Sequence, residues 1–262
     1  GVSAKLTIRQ TFLLTTLVWL TLPLFGAIPF VIGATNASMT DAFFEAMSGL
    51  TTTGATVFSG LEALPAGIKL WRGTLQWLGG VGIIVVAMVF LPELRVGGMQ
   101  IFRTEGFETS GKILPRAGAI ASHISVIYVG LTAACALVYA AFGMQGFDAL
   151  VHAMTTVSTG GMANSDASFG LYGEAVHYAG SFFMILAALP FVRYVQLVAG
   201  TAKPLLQDTQ IHAFLAIVGF SVLLVSAWVW GREGVITEIA FREALFNVTS
   251  IITGTGYSSA DY

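Results

Sequence analysis

Charged residues are scarce in this chain. Only 10% of its 262 residues are Asp, Glu, Lys or Arg, whereas 55% are hydrophobic. A water-soluble domain normally has about a quarter of its residues charged, so the composition argues against a soluble domain and predicts an integral membrane protein. The formal net charge is −2, which offers no basic surface for a nucleic acid, and we expect no such partner.

Cysteine and histidine are also scarce. The single cysteine, Cys135, lies inside an apolar run, which excludes an intrachain disulfide and a zinc site built on cysteines. No pair of carboxylates and no nucleophile–base set indicates catalysis, so we expect neither an enzyme nor a resident cofactor. The histidines share no metal-ligand spacing; they are His123, His152, His177 and His212.

Long apolar runs are what the chain has instead. A helix of roughly 20 apolar residues crosses the hydrocarbon core of a bilayer, and several runs reach about that length. The candidate spans are residues 11–33, 70–91, 117–142, 177–199 and 211–230. The sequence therefore predicts an all-α integral membrane protein.

Shorter apolar segments lie between these spans, at residues 40–50, 147–157 and 241–252. As helices of about 11 residues they would be about 16 Å long, roughly half a membrane thickness. Such a helix cannot cross the membrane. We expect each segment either to enter the membrane and return on the same side or to lie at the membrane surface.

The basic residues indicate an orientation. If the N-terminal end of the chain is cytoplasmic, eight of the 12 Lys and Arg residues fall on the inner side, as the positive-inside rule requires. Ten of the 14 acidic residues then fall on the outer side. The short segments would open to an outer mouth with net negative charge, which concentrates cations.

The short segments begin a repeated motif. The stretches DAFFEAMSGLTTTGA, DALVHAMTTVSTGGM and EALFNVTSIITGTGY, at 41–55, 148–162 and 243–257, align without gaps. An acidic residue opens each stretch, hydroxyl-bearing residues occupy its eighth and eleventh positions, and glycine occupies its fourteenth. Three copies in register indicate related units, each with a span, a short helix and a Thr/Gly loop.

The chemistry of the repeated stretch suits a cation. The acid at the start of each short helix meets the positive end of the helix dipole, so the negative carboxyl end points into the membrane. Irregular backbone at that depth is tolerated only when it is buried in protein or lines a wet cavity. Thr/Gly loops present carbonyl oxygens with little bulk, and rings of such oxygens can replace the water around a cation. The loops therefore predict an ion selectivity filter.

These stretches, together with LQWLGGVGIIVVAMVFLP (75–92) and SGKILPR (110–116), resemble the Trk/Ktr/HKT superfamily of potassium transporters, most of all the bacterial TrkH membrane subunits. The resemblance covers essentially the whole chain. It implies repeated span–pore helix–filter loop–span units around a pseudo-fourfold pore. It also implies potassium uptake through a channel-like pore in the bacterial cytoplasmic (inner) membrane, with the filter loops facing outside.

The resemblance further implies which residues hold the ion. The potassium-coordinating backbone carbonyls belong to the filter glycine of each repeat and to the two residues before it. They map to Thr52, Thr53, Gly54, Thr159, Gly160, Gly161, Gly254, Thr255 and Gly256. In plant relatives a serine at the first glycine position accompanies sodium preference, so the glycine at position 54 implies potassium.

The same resemblance divides the chain into a first pore-loop repeat (5–95), a cytoplasmic linker with the second repeat (96–203), and an incomplete third repeat (204–262). We expect a fourth repeat to lie outside the chain, which would then be part of a larger protein. The implied partners are the lipid bilayer, a second copy in a homodimer, and a cytoplasmic nucleotide-binding regulatory subunit of the TrkA type. We expect the regulatory subunit to dock on basic residues of this chain, namely Arg95, Arg103, Lys112 and Arg116.

Two alternatives stay open at this point. A proton- or sodium-coupled cation symporter of the same architecture would need ionisable groups within its spans, which hold almost none. The stretch GFETSGK (106–112) has the G-x-x-x-x-G-K spacing of a phosphate-binding loop. Ile113 follows where that loop needs Ser or Thr, so a basic cytoplasmic linker is the stronger interpretation.

A few polar residues near the motif also carry expectations. His152 lies on the second short helix where the other copies have Glu45 and Asn247, and we expect it to make a structural polar contact. Arg193 lies near the inner end of its span and is expected to reach the cytoplasmic interface. Arg72 is expected to anchor its span at the outer interface.

Overall fold

The computed structural model describes residues 8–89, 117–234 and 237–260. Within those ranges the regular structure is helical and contains no strand. The helices are α1 (Ile8–Ile32), α2 (Met39–Leu50), α3 (Ala66–Val89), α4 (Ala117–Ala141), α5 (Gly146–Val157), α6 (Glu174–Ala188), α7 (Phe191–Val198), α8 (Lys203–Leu206), α9 (Thr209–Glu233) and α10 (Glu238–Thr253).

Three of the described helices, α1, α4 and α9, are long and apolar enough to cross a membrane. Each leaves large hydrophobic side chains on its outer face, such as Phe25, Leu137 and Phe220, which are 70%, 72% and 68% exposed. An apolar face of that size is suited to hydrocarbon and not to water. The predicted fold class, an all-α integral membrane protein, is confirmed.

The short helices lie where the sequence predicts them. α2 and α5 have 12 residues each. α10 has 16 residues and begins three residues before the predicted segment, because the Thr237 side chain accepts a hydrogen bond from the Ala240 N–H and caps the helix there. α2 is capped in the same way by Ser38.

One predicted span is broken rather than continuous. Residues 177–199 do not form a single helix, since α6 and α7 meet at an angle of 88°, and the pair could cross a membrane only as a bent span. Pro190 has no N–H to donate and disfavours the helical conformation of the residue before it, and Leu189 is accordingly extended with ψ 148°. α6 has 15 residues, so it is about 22 Å long, short of the roughly 30 Å hydrocarbon core.

The short helices alternate with the longer ones in the packing. α2 contacts α1 and α3, α5 contacts α4 and α6, and α10 contacts α9. The helix that follows each of the first two short helices also contacts the next short helix along the chain. Thus α3 packs on α5, and α6 packs on α10. The molecule is therefore built from three units placed side by side: α1–α3, α4–α6 and α9–α10.

Glycine permits the close approach of neighbouring units. A Cβ added to Gly73 of α3 would lie 2.9 Å from Val151 Cγ1 of α5. A Cβ added to Gly180 of α6 would lie 2.9 Å from Phe246 Cε2 of α10. These glycines occupy equivalent positions in the first two units, and the residues they contact are likewise equivalent. The unit interfaces therefore share one packing geometry.

Candidate functional site

Each short helix runs directly into a loop that ends at the glycine singled out in the sequence. We call residues 52–54, 159–161 and 254–256 the first, second and third triplets. The first and third residues of every triplet have positive φ: +56° and +81° in the first, +51° and +72° in the second, and +75° and +86° in the third. The three loops therefore share one backbone conformation despite their different sequences.

Thr52 and Thr159 adopt positive φ although both are β-branched. A β-branched residue with positive φ is a clear outlier, and the left-handed region costs roughly 1–2 kcal/mol for such a residue. Backbone strain of this kind clusters at functional sites. The third triplet has Gly254 at the same position, which adopts positive φ without that cost.

The end of each short helix fixes the triplet that follows. The N–H groups of the second and third triplet residues turn back to one helix carbonyl, at 2.9 and 3.5 Å in the first unit and 2.9 and 3.3 Å in the other two. The acceptors are the carbonyls of Ser48, Thr155 and Ser250. With the N–H groups held on the helix side and φ alternating in sign, successive carbonyls can face the same direction.

Neighbouring triplets approach each other at their glycines. A Cβ added to Gly54 would lie 2.0 Å from the Gly160 carbonyl oxygen, and one added to Gly161 would lie 1.8 Å from that of Thr255. Only glycine fits at either position. Among the described residues nothing lies within 4 Å of a Cβ added to Gly256. The structure thus brings the predicted site residues together in three adjoining loops.

A polar side chain at the fifth position of each repeated stretch anchors the chain beyond the triplet. In every unit it accepts a hydrogen bond from the N–H of the third residue after the glycine. The pairs are Glu45 Oε2 with Val57 (3.0 Å), His152 Nε2 with Asn164 (3.4 Å) and Asn247 Oδ1 with Ser259 (3.1 Å). A carboxylate, an imidazole and an amide therefore accept the equivalent backbone hydrogen bond in the three units.

The His152 contact is the structural one expected from the sequence. Its Nδ1 lies 2.8 Å from the Asp148 carbonyl oxygen, which can only accept, so Nδ1 carries the proton. Nε2 is then free to accept from Asn164. The ring is neutral in this arrangement and fully buried.

The expectation for Arg72 is wrong. Its side chain does not reach the outer interface but is 1% exposed, with Nε 2.7 Å from the Glu45 carboxylate, which is itself fully buried. The guanidinium also donates to the Thr56 hydroxyl (3.2 Å) and, across the unit boundary, to the Ala163 carbonyl (2.8 Å). Burial of this charge is tolerated because its partner and its hydrogen bonds replace water.

The loops after the first two triplets hold each other through their acidic residues. The Glu62 carboxylate accepts from the Ser165 hydroxyl and the Asp166 N–H, while the Asp166 carboxylate accepts from the N–H groups of Gly60 and Leu61. The hydrogen bond from Ser165 is the main reason that the pKa of Glu62 lies below its ordinary value. The exchange joins the first and second units beyond their triplets.

Arg193 forms an ion pair with Asp208. Its Nε lies 2.7 Å from Asp208 Oδ2, and the side chain is 15% exposed. Asp208 in turn caps α9, since its carboxylate accepts from the Gln210 N–H at 2.8 Å. This pair connects α7 to the start of α9.

Sequence reasoning missed Gln76. This fully buried residue of α3 donates from Nε2 to the Gly160 carbonyl (2.7 Å) and accepts at Oε1 from the Met162 N–H (3.1 Å). A signal was present, because Gln76 is an amide inside an apolar run, and polar side chains within spans usually bond to other parts of the protein.

Some predicted features lie outside the described residues. They are the proposed docking residues Arg95, Arg103, Lys112 and Arg116 and the stretch 106–112. Within the part of the chain that is described, no group of three or more His, Cys, Asp or Glu side chains could hold a metal ion. Within the described residues the triplets therefore remain the candidate site.

The chain is similar in sequence to known proteins. The sequence model of the family described as "TrkH: Cation transport protein" matches residues 2–262. The chain is 46% identical to the Trk system potassium uptake protein TrkI of Halomonas elongata, over 97% of this chain and 52% of that protein. It is 36% identical to the Trk system potassium uptake protein TrkH of Escherichia coli K12, over 96% of this chain and 53% of that protein.

A solved structure is also similar. The crystal structure of the potassium transporter TrkH from Vibrio parahaemolyticus matches with a TM-score of 0.87 and 34% sequence identity. The match covers 98% of this chain and 53% of that one. The chain therefore spans about half the length of the relatives that it matches.

Proposed function

Since the chain belongs to the TrkH family of cation transport proteins, we propose that it forms part of a pore for potassium uptake across the bacterial cytoplasmic membrane. The relatives named for potassium uptake support the choice of ion. The observation that carries the proposal is the recurrence of positive φ at the first and third positions of all three triplets. Each triplet follows a helix too short to cross the membrane.

In this proposal the filter is made of backbone. The carbonyl oxygens of Thr52, Thr53, Gly54, Thr159, Gly160, Gly161, Gly254, Thr255 and Gly256 line the path and replace the hydration shell of potassium. The carboxyl ends of α2, α5 and α10 contribute partial negative charge behind them. The helix-end hydrogen bonds hold the N–H groups away from the ion, so the cation meets acceptors only.

A channel-like path is favoured over a coupled carrier. Proton coupling would need an ionisable group that is free to change its charge within the membrane. Glu45 and Arg72, the buried charges beside the triplets, neutralise each other. The Glu45 carboxylate also accepts from Thr56 and Val57, so both groups serve to hold the loops.

The proposal extends to organisation and partners. The first pore-loop repeat would comprise residues 5–95, a cytoplasmic linker with the second repeat would comprise 96–203, and an incomplete third repeat would comprise 204–262. The N-terminal end would be cytoplasmic and the triplets would face outside. The complete protein would form a homodimer in the bilayer. It would bind a nucleotide-binding regulatory subunit of the TrkA type through the basic residues at 95–116.

The test is Gly54→Ser in the complete natural protein, with the potassium-to-sodium permeability ratio measured in bilayer recordings. A side chain at position 54 meets the Gly160 carbonyl at 2.0 Å and sits on a backbone with φ +81°. Carbonyls must move, and we expect the ratio to fall by about tenfold, the equivalent of roughly 1.4 kcal/mol of discrimination.

Gly130→Ser is the matched control, because a Cβ at that position in α4 meets nothing within 4 Å. It should leave the permeability ratio unchanged. If Gly54→Ser also conducts with the original ratio, position 54 is not part of the filter and the proposal fails.

A further inference from the structure

Two polar side chains of α3 reach into the loop of the next unit. Arg72 and Gln76 lie one helical turn apart, so they project from the same face of the helix. Arg72 Nη1 donates to the Ala163 carbonyl at 2.8 Å. Gln76 contacts the residues on both sides of Gly161, through the Gly160 carbonyl and the Met162 N–H. We call this pair of side chains the α3 clamp.

The orientation of the Gln76 amide is dictated by its partners. The Gly160 carbonyl can only accept a hydrogen bond and the Met162 N–H can only donate one. A flipped amide would place oxygen against oxygen and N–H against N–H. The site is fully buried, so such a mismatch would find no water to relieve it.

The second unit has no equivalent clamp on the third. The alignment of the repeats places Ala179 and Phe183 of α6 at the positions of Arg72 and Gln76. Neither side chain can donate a hydrogen bond to the third triplet. One side-chain hydrogen bond from the preceding unit, from Gln76 to Gly160, therefore reaches the second triplet, whereas Ala179 and Phe183 supply none to the third.

We propose that Gln76 is a positioning residue that sets the selectivity of the pore by holding the carbonyl of Gly160. This inference rests on the proposed function, since it concerns the same pore. A carbonyl oxygen has two lone pairs, so Gly160 can accept from Gln76 and still face a cation. The hydrogen bond limits how far that oxygen can move.

The mobility of the oxygen matters for the choice of ion. Sodium is smaller than potassium, and a ring of carbonyls binds it well only if the oxygens close in around it. Selectivity depends on the size of the ring and on the number and field strength of its carbonyls. An oxygen tied to a buried amide resists that closure. Loss of the amide donor should therefore favour sodium relative to potassium.

The experiment compares Gln76→Glu and Gln76→Met in the complete protein. Glu keeps an oxygen for the Met162 N–H but cannot donate as a carboxylate, and Met keeps the length of the side chain while losing both hydrogen bonds. We expect the potassium-to-sodium permeability ratio to fall by about tenfold in both variants, as loss of one buried hydrogen bond allows. Thermal stability, followed by the loss of monodisperse protein on heating, is measured in parallel.

Thr74→Val is the matched control on the same helix, because the Thr74 hydroxyl donates only to the Leu70 carbonyl of its own helix, at 2.8 Å. It should keep the original ratio. Gln76 variants that fold and keep the original ratio overturn the proposal. Failure of both variants to accumulate, with Thr74→Val accumulating normally, also overturns it, because Gln76 would then serve folding alone.

The two proposals can fail separately. A changed ratio in Gly54→Ser with unchanged ratios in the Gln76 variants would remove the positioning role and leave the filter in place. Unchanged ratios in Gly54→Ser and in the Gln76 variants would remove the filter as well.

Discussion

The second and third triplets have the same backbone and different supports. Both follow a short helix, and both turn two N–H groups back to a single helix carbonyl. The second is held from the side by Gln76 of the preceding unit. The third unit instead contacts the second through Tyr257, whose hydroxyl donates a hydrogen bond to the His152 carbonyl at 3.1 Å. The helix end therefore sets the loop conformation, and each interface supplies its own side-chain support.

The first unit contains a fully buried ion pair, Arg72 with Glu45, whereas the ion pair between the second and third units, Arg242 with Glu174, has a carboxylate that is 70% exposed. We expect Arg72→Met to have the largest effect on stability, because it leaves the Glu45 carboxylate buried without its counter-charge. Breaking a buried pair in this way costs about 3–5 kcal/mol. The measurement is the temperature at which the detergent-solubilised protein loses its monodisperse peak.

The double variant Glu45→Gln with Arg72→Met is the internal comparison. It removes both charges while the new amide oxygen can still accept from the Val57 N–H, as Asn247 accepts from Ser259 in the third unit. We expect it to be more stable than Arg72→Met alone. An Arg72→Met protein as stable as the unmodified one would contradict the assignment of a buried pair.

The close packing between units gives an effect of intermediate size. Gly180→Ala should destabilise by about 1–3 kcal/mol, since the new methyl group would lie 2.9 Å from the Phe246 ring and the core must shift. Gly67→Ala is the control, because its Cβ meets nothing within 4 Å. It should be neutral or stabilising by up to about 1 kcal/mol. Equal melting temperatures for the two variants would show that the unit interfaces are looser than described.

The smallest expected effect concerns the strained threonine. Thr159→Gly gives the second triplet the glycine that the third has at its first position and removes the cost of φ +51°. The greater freedom of glycine in the unfolded chain offsets part of that gain, leaving a net stabilisation of about 0.5–1 kcal/mol. Gly254→Ala is the reverse change and should destabilise by about 1 kcal/mol. Melting shifts of the opposite signs would mean that the left-handed geometry is not intrinsic to the loops.

Much of this fold can be predicted from the sequence because its signals are local. Apolar runs set the spans, Ser38 caps α2 at the start of its short apolar segment, and glycine occupies the third position of every triplet, where φ is positive. Hydropathy does not reveal the break at Pro190, because the residues on both sides of the proline are apolar. A prediction from hydropathy therefore treats the two helices as one span. The proline itself was the available signal.

The supports of the site could not be predicted, because they depend on contacts between distant residues. Arg72 is buried only because Glu45, 27 residues earlier, lies beside it. Gln76 meets Gly160 across 84 residues of sequence. The first contact requires α2 to pack on α3, and the second requires the first two units to pack side by side. Composition and periodicity reveal neither arrangement. The equivalence of Glu45, His152 and Asn247 appears only when their backbone partners are known.

The central claim is that the three triplets bind a dehydrated cation through backbone oxygens. It is tested most directly by locating the ion: the complete protein is crystallised with thallium in place of potassium, and the anomalous density is mapped. We expect peaks surrounded by the carbonyls of residues 52–54, 159–161 and 254–256. Peaks held instead by side-chain carboxylates, or no peak among the triplets, would contradict it.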